Sequence, residues 1–124
     1  MPALEPLHGL RVVAEPAALD AARWSGDDVI VLRFAPDDAF ALGARGVEVD
    51  DEHAIAVAEV GFVGAWLRIE AIAGQLEWAL PAERPTLAQG SIAGVPAKLW
   101  LPDGWTALLL TATAYRDELE ARLR

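Results

Sequence analysis

The stretch IAGVPAKLWLPDGWTALLLTATAYRDELEARLR, residues 92–124, decides the fold. Its first half holds two runs of strand-forming residues, 92–101 and 105–111, separated by Pro102, Asp103 and Gly104. Proline presets a turn backbone, aspartate bonds the backbone just ahead of it, and glycine tolerates left-handed geometry. P-D-G between apolar runs therefore predicts a hairpin. From residue 112 to 124 the period changes. Tyr115, Leu119 and Leu123 recur on one helical face, and Glu118 stands four residues before Arg122, as an ion pair along a helix requires. A hairpin followed by an amphipathic helix predicts an antiparallel sheet covered by helix. Pro96 falls inside the first run and removes one ladder donor, so its strand is expected to be an edge or to bulge there.

The pattern extends upstream. Residues 28–34 carry Val29, Ile30, Val31, Leu32 and Phe34, a strong strand. Ala35-Pro36-Asp37-Asp38 reads as a turn with proline in its second position, returning as a partner strand over 39–44. Residues 10–14 predict a short first strand. Residues 15–24 predict a helix with Pro16 at its first position, where a missing N–H costs nothing. Residues 50–60 are ambiguous: either a helix capped by Asp50 or Asp51, or a strand in which Ile55 and Val57 alternate with alanines. Residues 62–69 read as a strand, 75–80 as another, and 85–89 as a loop or short helix. The expected architecture is α+β: one domain over residues 1–124, its antiparallel sheet built from hairpins, with an N-terminal and a C-terminal helix packed on it.

Composition narrows the function classes. The chain has 124 residues, 54% hydrophobic, with mean hydropathy +0.27, which excludes a disordered tail. There is no cysteine, so disulfides, thiolate nucleophiles and cysteine-ligated metal centres are excluded together. The N-terminal segment lacks a basic region followed by a long apolar run. The longest apolar window, residues 54–67, falls short of the roughly 20 residues that span a bilayer. A cytoplasmic protein is expected. Alanine-rich, arginine-dominated usage, with Lys98 the only lysine and no asparagine, fits a high-GC bacterial genome. The net charge is −9, and residues 1–60 hold 12 acids against 4 bases. Nucleic acid and anionic membranes would both be repelled.

Few residues suit catalysis. The serines are Ser25 and Ser91, the histidines His8 and His53, and no G-x-S-x-G elbow or phosphate-binding glycine motif occurs. Asp50, Asp51 and His53, with Glu52 between them, form the densest ligand-type cluster. Consecutive residues point in different directions, so one segment cannot aim them all at one ion, and a solvated acidic turn is the simpler reading. They remain the fallback ligand or metal site of a small enzyme or ligand-binding domain. Five tryptophans (Trp24, Trp66, Trp78, Trp100, Trp105) are many for this length and suit cores and interfaces alike. Pro96, Trp100 and Trp105 are the candidate partner interface.

One resemblance adds to this. Gln89, Ala93, Val95, Pro96, Leu99 and Trp100, then Leu108, Leu109 and Leu110, then Tyr115, Leu119 and Leu123, form a run similar to one in the gamma subunit of heterotetrameric sarcosine oxidase. Leu32, Pro36, Asp37, Asp38, Leu42 and Gly43 resemble a hairpin of the same family, in the same order. The resemblance covers residues 29–124 in patches. It implies a fold like that of the folate-linked aminomethyltransferases. It also implies an accessory subunit whose larger partners perform the flavin and folate chemistry, and it carries over no catalytic residue. The expected function is therefore a non-catalytic accessory or interaction domain, with no cofactor of its own, that binds a protein partner. A self-associating homo-oligomer is the alternative.

Overall fold

The computed structural model describes residues 3–123. Its strands in chain order are β1 (Glu5–Pro6), β2 (Gly9–Val13), β3 (Arg23–Ala35), β4 (Asp38–Glu48), β5 (Ile55–Glu59), β6 (Phe62–Arg68), β7 (Thr86–Ile92), β8 (Val95–Leu101) and β9 (Thr106–Ala112). Two short helices, α1 (Pro16–Asp20) and α2 (Arg116–Arg122), complete an α+β fold whose strand pairings are all antiparallel. No helix among the described residues is long and apolar enough to cross a membrane. The chain groups into two compact units. One is Leu7–Val60; the other joins the N-terminal residues up to Pro6 to Gly61–Arg124.

In the Leu7–Val60 unit the sheet order is β3-β4-β2-β5. The strand predicted over 28–34 is part of the longer β3. Pro36 and Asp37 form its turn, with Ala35 opposite Asp38. The register breaks between Gly26 and Ile30, where β3 bulges and Asp28 takes φ +47°. Gly43 (φ +84°) accommodates the bulge, since a Cβ there would lie 2.6 Å from the Asp27 carbonyl oxygen.

The predicted helix over 15–24 is only five residues long. Alanine propensity yields to sheet pairing: Arg23 and Trp24 join β3 opposite Glu48 and Val47, and Trp24 packs on the small core of Val12, Ala14, Leu19 and Ala39. The ambiguity at 50–60 resolves as strand β5, in register with β2 from Val13↔Ile55 to Gly9↔Glu59. β-branched Ile55 and Val57 favour that outcome.

The second sheet has the order β1-β6-β9-β8-β7. Val63, Leu67, Ala97, Leu99, Leu101, Ala107 and Leu109 build one core face, and Leu119 of α2 is fully buried against it. The Glu118–Arg122 pair forms at 2.5 Å. Tyr115 instead lies in a 3-10 turn, Thr113–Tyr115, and is exposed.

Three further segments depart from expectation. Residues 85–89 do not form a loop or short helix. Thr86 onward enters β7, with Pro85 in the bend before it, because Ala93 (φ 51°) and Gly94 (φ 80°) make a two-residue turn of the left-handed kind that joins β7 to β8. Residues 75–80 are not a strand; the 3-10 turn Ala73–Gln75 leads to a single bridge, Leu76↔Ile92. Finally, the strand holding Pro96 is not an edge. β8 lies between β9 and β7. Ile92 and Val95 close the turn, so the alternation of an antiparallel ladder leaves Pro96, opposite Ser91, at a position needing no N–H toward β7. On the other side the β8–β9 ladder covers only Lys98, Leu99 and Trp100. The Pro96 carbonyl accepts the Thr111 hydroxyl at 2.7 Å, a side-chain bond where the β8–β9 ladder has ended.

Candidate partner-binding edge

An unpaired strand edge presents a row of N–H and C=O groups to any passing chain, and proteins normally block it. Three of the four edges here are blocked. β1 is two residues long and ends on a proline. β3 is bulged and carries Arg23, Asp27, Asp28 and Arg33. Over β7, the Trp78 indole donates 2.7 Å to the Ser91 carbonyl, and its ring lies so close that a Cβ on Gly90 would meet it at 2.9 Å.

β5 has none of these devices. Its sequence is Ile-Ala-Val-Ala-Glu, and the first four residues are exposed, so both faces of the strand meet solvent. Ile55 is 60% exposed and Val57 53%. Val13, opposite Ile55, and Val60 just beyond the strand extend the exposed apolar surface.

The strand's single charge is engaged within the sheet. Arg11 of β2 donates to Asp38 of β4 through Nε (2.6 Å) and Nη2 (2.7 Å), and to Glu59 of β5 through Nη1 (2.8 Å). Its guanidinium also lies 4.8 Å from the centre of the Phe34 ring. The fork geometry of arginine suits this bidentate grip. The Asp38 hydrogen bond, followed by that of Glu59, outweighs burial and raises Arg11 above its ordinary value. The hub ties β5 to β2 and β4, so the edge is held as a ready-formed strand.

Sequence reasoning missed both the hub and the edge. A run of Ile, Ala, Val and Ala with no polar face reads as a strand buried on both sides. An arginine between Leu10 and Val12 was the available signal for the hub.

At the Ile55 end of β5 lies an open cleft of about 560 Å³, whose lining includes Val13, Glu15, Pro36, Asp37, Asp51 and His53. Asp51 accepts the Glu15 N–H through Oδ2 and the His53 N–H through Oδ1, both at 2.9 Å. These bonds, that from Glu15 most of all, hold its carboxyl below the ordinary 3.8. With both oxygens so engaged, Asp51 shapes the loop. The His53 imidazole is highly exposed, 3.4 Å from Glu52. Asp50 lies elsewhere, in a shallow depression with Arg23 and Glu48. The structure thus brings Asp51 and His53 to one cleft and separates Asp50 from them. Among the described residues no three His, Asp or Glu side chains are placed to hold a metal ion.

The other predicted interface residues belong to the second unit. Pro96 is exposed and Trp100 half-buried on one face of β8. Trp105 is 70% exposed in the β8–β9 turn, at the opposite end of that strand from Pro96. Asp103 builds this turn by accepting the Trp105 and Thr106 N–H groups, each at 2.8 Å, which holds its carboxyl below the ordinary range.

No family model matches the chain, and neither a curated protein nor a solved structure matches it significantly.

Proposed function

We propose that this chain is a non-catalytic accessory or interaction domain of the bacterial cytoplasm that engages a protein partner through strand addition at β5. One observation carries the reading: β5 is an apolar edge strand, open on both faces, while the other three edges are blocked. Main-chain hydrogen bonds along such an edge supply affinity, and alternate side chains supply selectivity. The Arg11 hub supports the reading because a preformed strand loses less entropy on binding. An accessory role like that of the sarcosine oxidase gamma subunit falls within this proposal, as a chain whose partners perform the chemistry. Trp105 is a second exposed contact surface; of the β8 residues, Trp100 lies toward its end of the strand and Pro96 at the other.

The test is fluorescence anisotropy of a labelled strand-forming peptide, acetyl-Thr-Val-Thr-Val-Thr-amide, titrated with the wild-type chain and a Val57→Lys variant. Val57 is exposed but stands opposite Arg11 in the β2–β5 register, so an Ile55→Lys variant, exposed and opposite Val13, is measured beside it to keep the hub intact. Binding by wild type and its loss in both variants are expected. Equal binding by all three chains would move the partner surface away from β5.

A further inference from the structure

The cleft at the Ile55 end of β5 says which kind of strand this edge takes, if the edge is the partner surface proposed above. All four arginines of the Leu7–Val60 unit are engaged in ion pairs: Arg11 with Asp38 and Glu59, Arg23 with Glu48, Arg33 with Asp20 at 2.7 Å, and Arg45 with Asp27 at 2.8 Å. Those pairs consume five carboxylates. Glu15, Asp37 and Asp51, which line the cleft, form no ion pair among the described residues. The negative charge left over in this unit therefore includes three carboxylates gathered around one recess. Apolar Val13 and Pro36 form other parts of its wall.

The recess and the edge are continuous. Val13 lines the cleft and is also the register partner of Ile55, and His53, another lining residue, precedes Ile55 by two positions. A strand added antiparallel to β5 starts beside Glu59 and leaves the sheet beside Ile55, so its following residues reach the cleft. On the Ile55 and Val57 face such a strand meets large apolar side chains, and on the other face only Ala56 and Ala58.

We infer that the partner is a basic polypeptide: an extended apolar segment followed, on its C-terminal side, by lysine or arginine that enters the cleft lined by Glu15, Asp37 and Asp51. Charge complementarity selects this occupant over a second copy of the chain. Pairing two copies along β5 would bring two such acidic recesses, on two chains of net charge −9, into one assembly.

Three peptides test this with the whole chain: acetyl-Thr-Val-Thr-Val-Thr-Lys-Lys-amide, the same peptide ending in Glu-Glu, and one with both lysines moved to the N-terminus. The readouts are affinity and the backbone amide NMR shifts of residues 51–60. The C-terminal lysine peptide should bind about tenfold tighter than the glutamate peptide at low salt, as gaining weak ion pairs in place of repulsion implies. It should also bind tighter than the N-terminal lysine peptide, and the preference should shrink at high salt. In a Glu15→Gln/Asp37→Asn variant, whose changes are exposed and isosteric, the preference should fall below about threefold while β5 shifts persist.

Failure is separable. If all three peptides shift β5 with equal affinity, strand addition stands and the basic partner is overturned. If none shifts β5, the interaction reading itself fails. A concentration-dependent dimer by light scattering that Val57→Lys abolishes would make a second copy the occupant and overturn the inference.

Discussion

Replacing Arg11 with methionine keeps the length of the aliphatic stem and removes the charge. The consequence follows from what Arg11 holds. Three charge-assisted hydrogen bonds of 2.6 to 2.8 Å reach Asp38 and Glu59, and the three side chains are only 28%, 24% and 20% exposed. Removing one member of a fully buried pair costs roughly 3–5 kcal/mol, because the remaining charge is stranded. An exposed pair is worth about 0–1 kcal/mol. At this intermediate burial, with two carboxylates left facing each other, the loss should be about 2–3 kcal/mol. The stem packing that methionine retains is already discounted.

In a chain of this size that loss corresponds to a fall in Tm of about 10 °C. The assay is urea denaturation at neutral pH, with an unchanged slope indicating an intact native state. Titration of Arg11 itself does not enter. Because its value is raised, its contribution is complete below the ordinary arginine range and is lost only as pH rises through the higher folded value. Adding Asp38→Asn and Glu59→Gln to Arg11→Met should recover more than half of the loss, since no charge is then left without a partner. Stability within about 0.5 kcal/mol of wild type for Arg11→Met alone, in the range of ordinary surface changes, would refute the account of the hub.

Three further outcomes follow from other parts of the fold. Leu109→Ala, at a fully buried position in the core of the second sheet, should cost about 3 kcal/mol in denaturation experiments, as a large-to-small core change does. Ala93→Asn should stabilise by about 0.5 kcal/mol, because asparagine tolerates the left-handed backbone (φ 51°) that alanine adopts at the β7–β8 turn. Asp103→Ala should lower Tm at neutral pH by removing the acceptor of two turn amides. The Asp103 carboxyl is held below its ordinary 3.8, so its contribution is present above that pH and lost as pH falls through the folded value. The gap in Tm between variant and wild type should therefore close in acid.

How much was legible in the sequence depends on whether local chemistry or tertiary pairing decided each element. The Pro36-Asp37 and Pro102-Asp103-Gly104 turns, strand β3 and the C-terminal helix have local signatures, and all are present. Residues 86–92 were hidden because Gln89, Gly90 and Ser91 have no strand preference; their pairing depends on the turn formed by Ala93 and Gly94. The first helix was overestimated because nothing local marks Arg23 and Trp24 as partners of Glu48 and Val47. Pro96 suggested an edge because sequence cannot say which side of a strand a proline faces, and here that side meets the end of the β8–β9 ladder.

For the site, Asp51 and His53 stood out by density alone, and their shared cleft depends on the return of residues 13–16 beside them. The β5 edge was illegible for a different reason: exposure of Ile55 and Val57 is set by strand order, and strand order is a property of the whole sheet.

Amide hydrogen exchange along residues 55–59, in the free chain and in the presence of acetyl-Thr-Val-Thr-Val-Thr-Lys-Lys-amide, tests the central claim most directly. In the free chain, alternate amides of β5 should exchange without protection, because only β2 flanks the strand. On saturation with the peptide those same amides should slow by about tenfold or more, as edge amides do when they gain partners. Amides already protected along the whole of β5 in the free monomer, or unchanged when the peptide binds, would contradict the account.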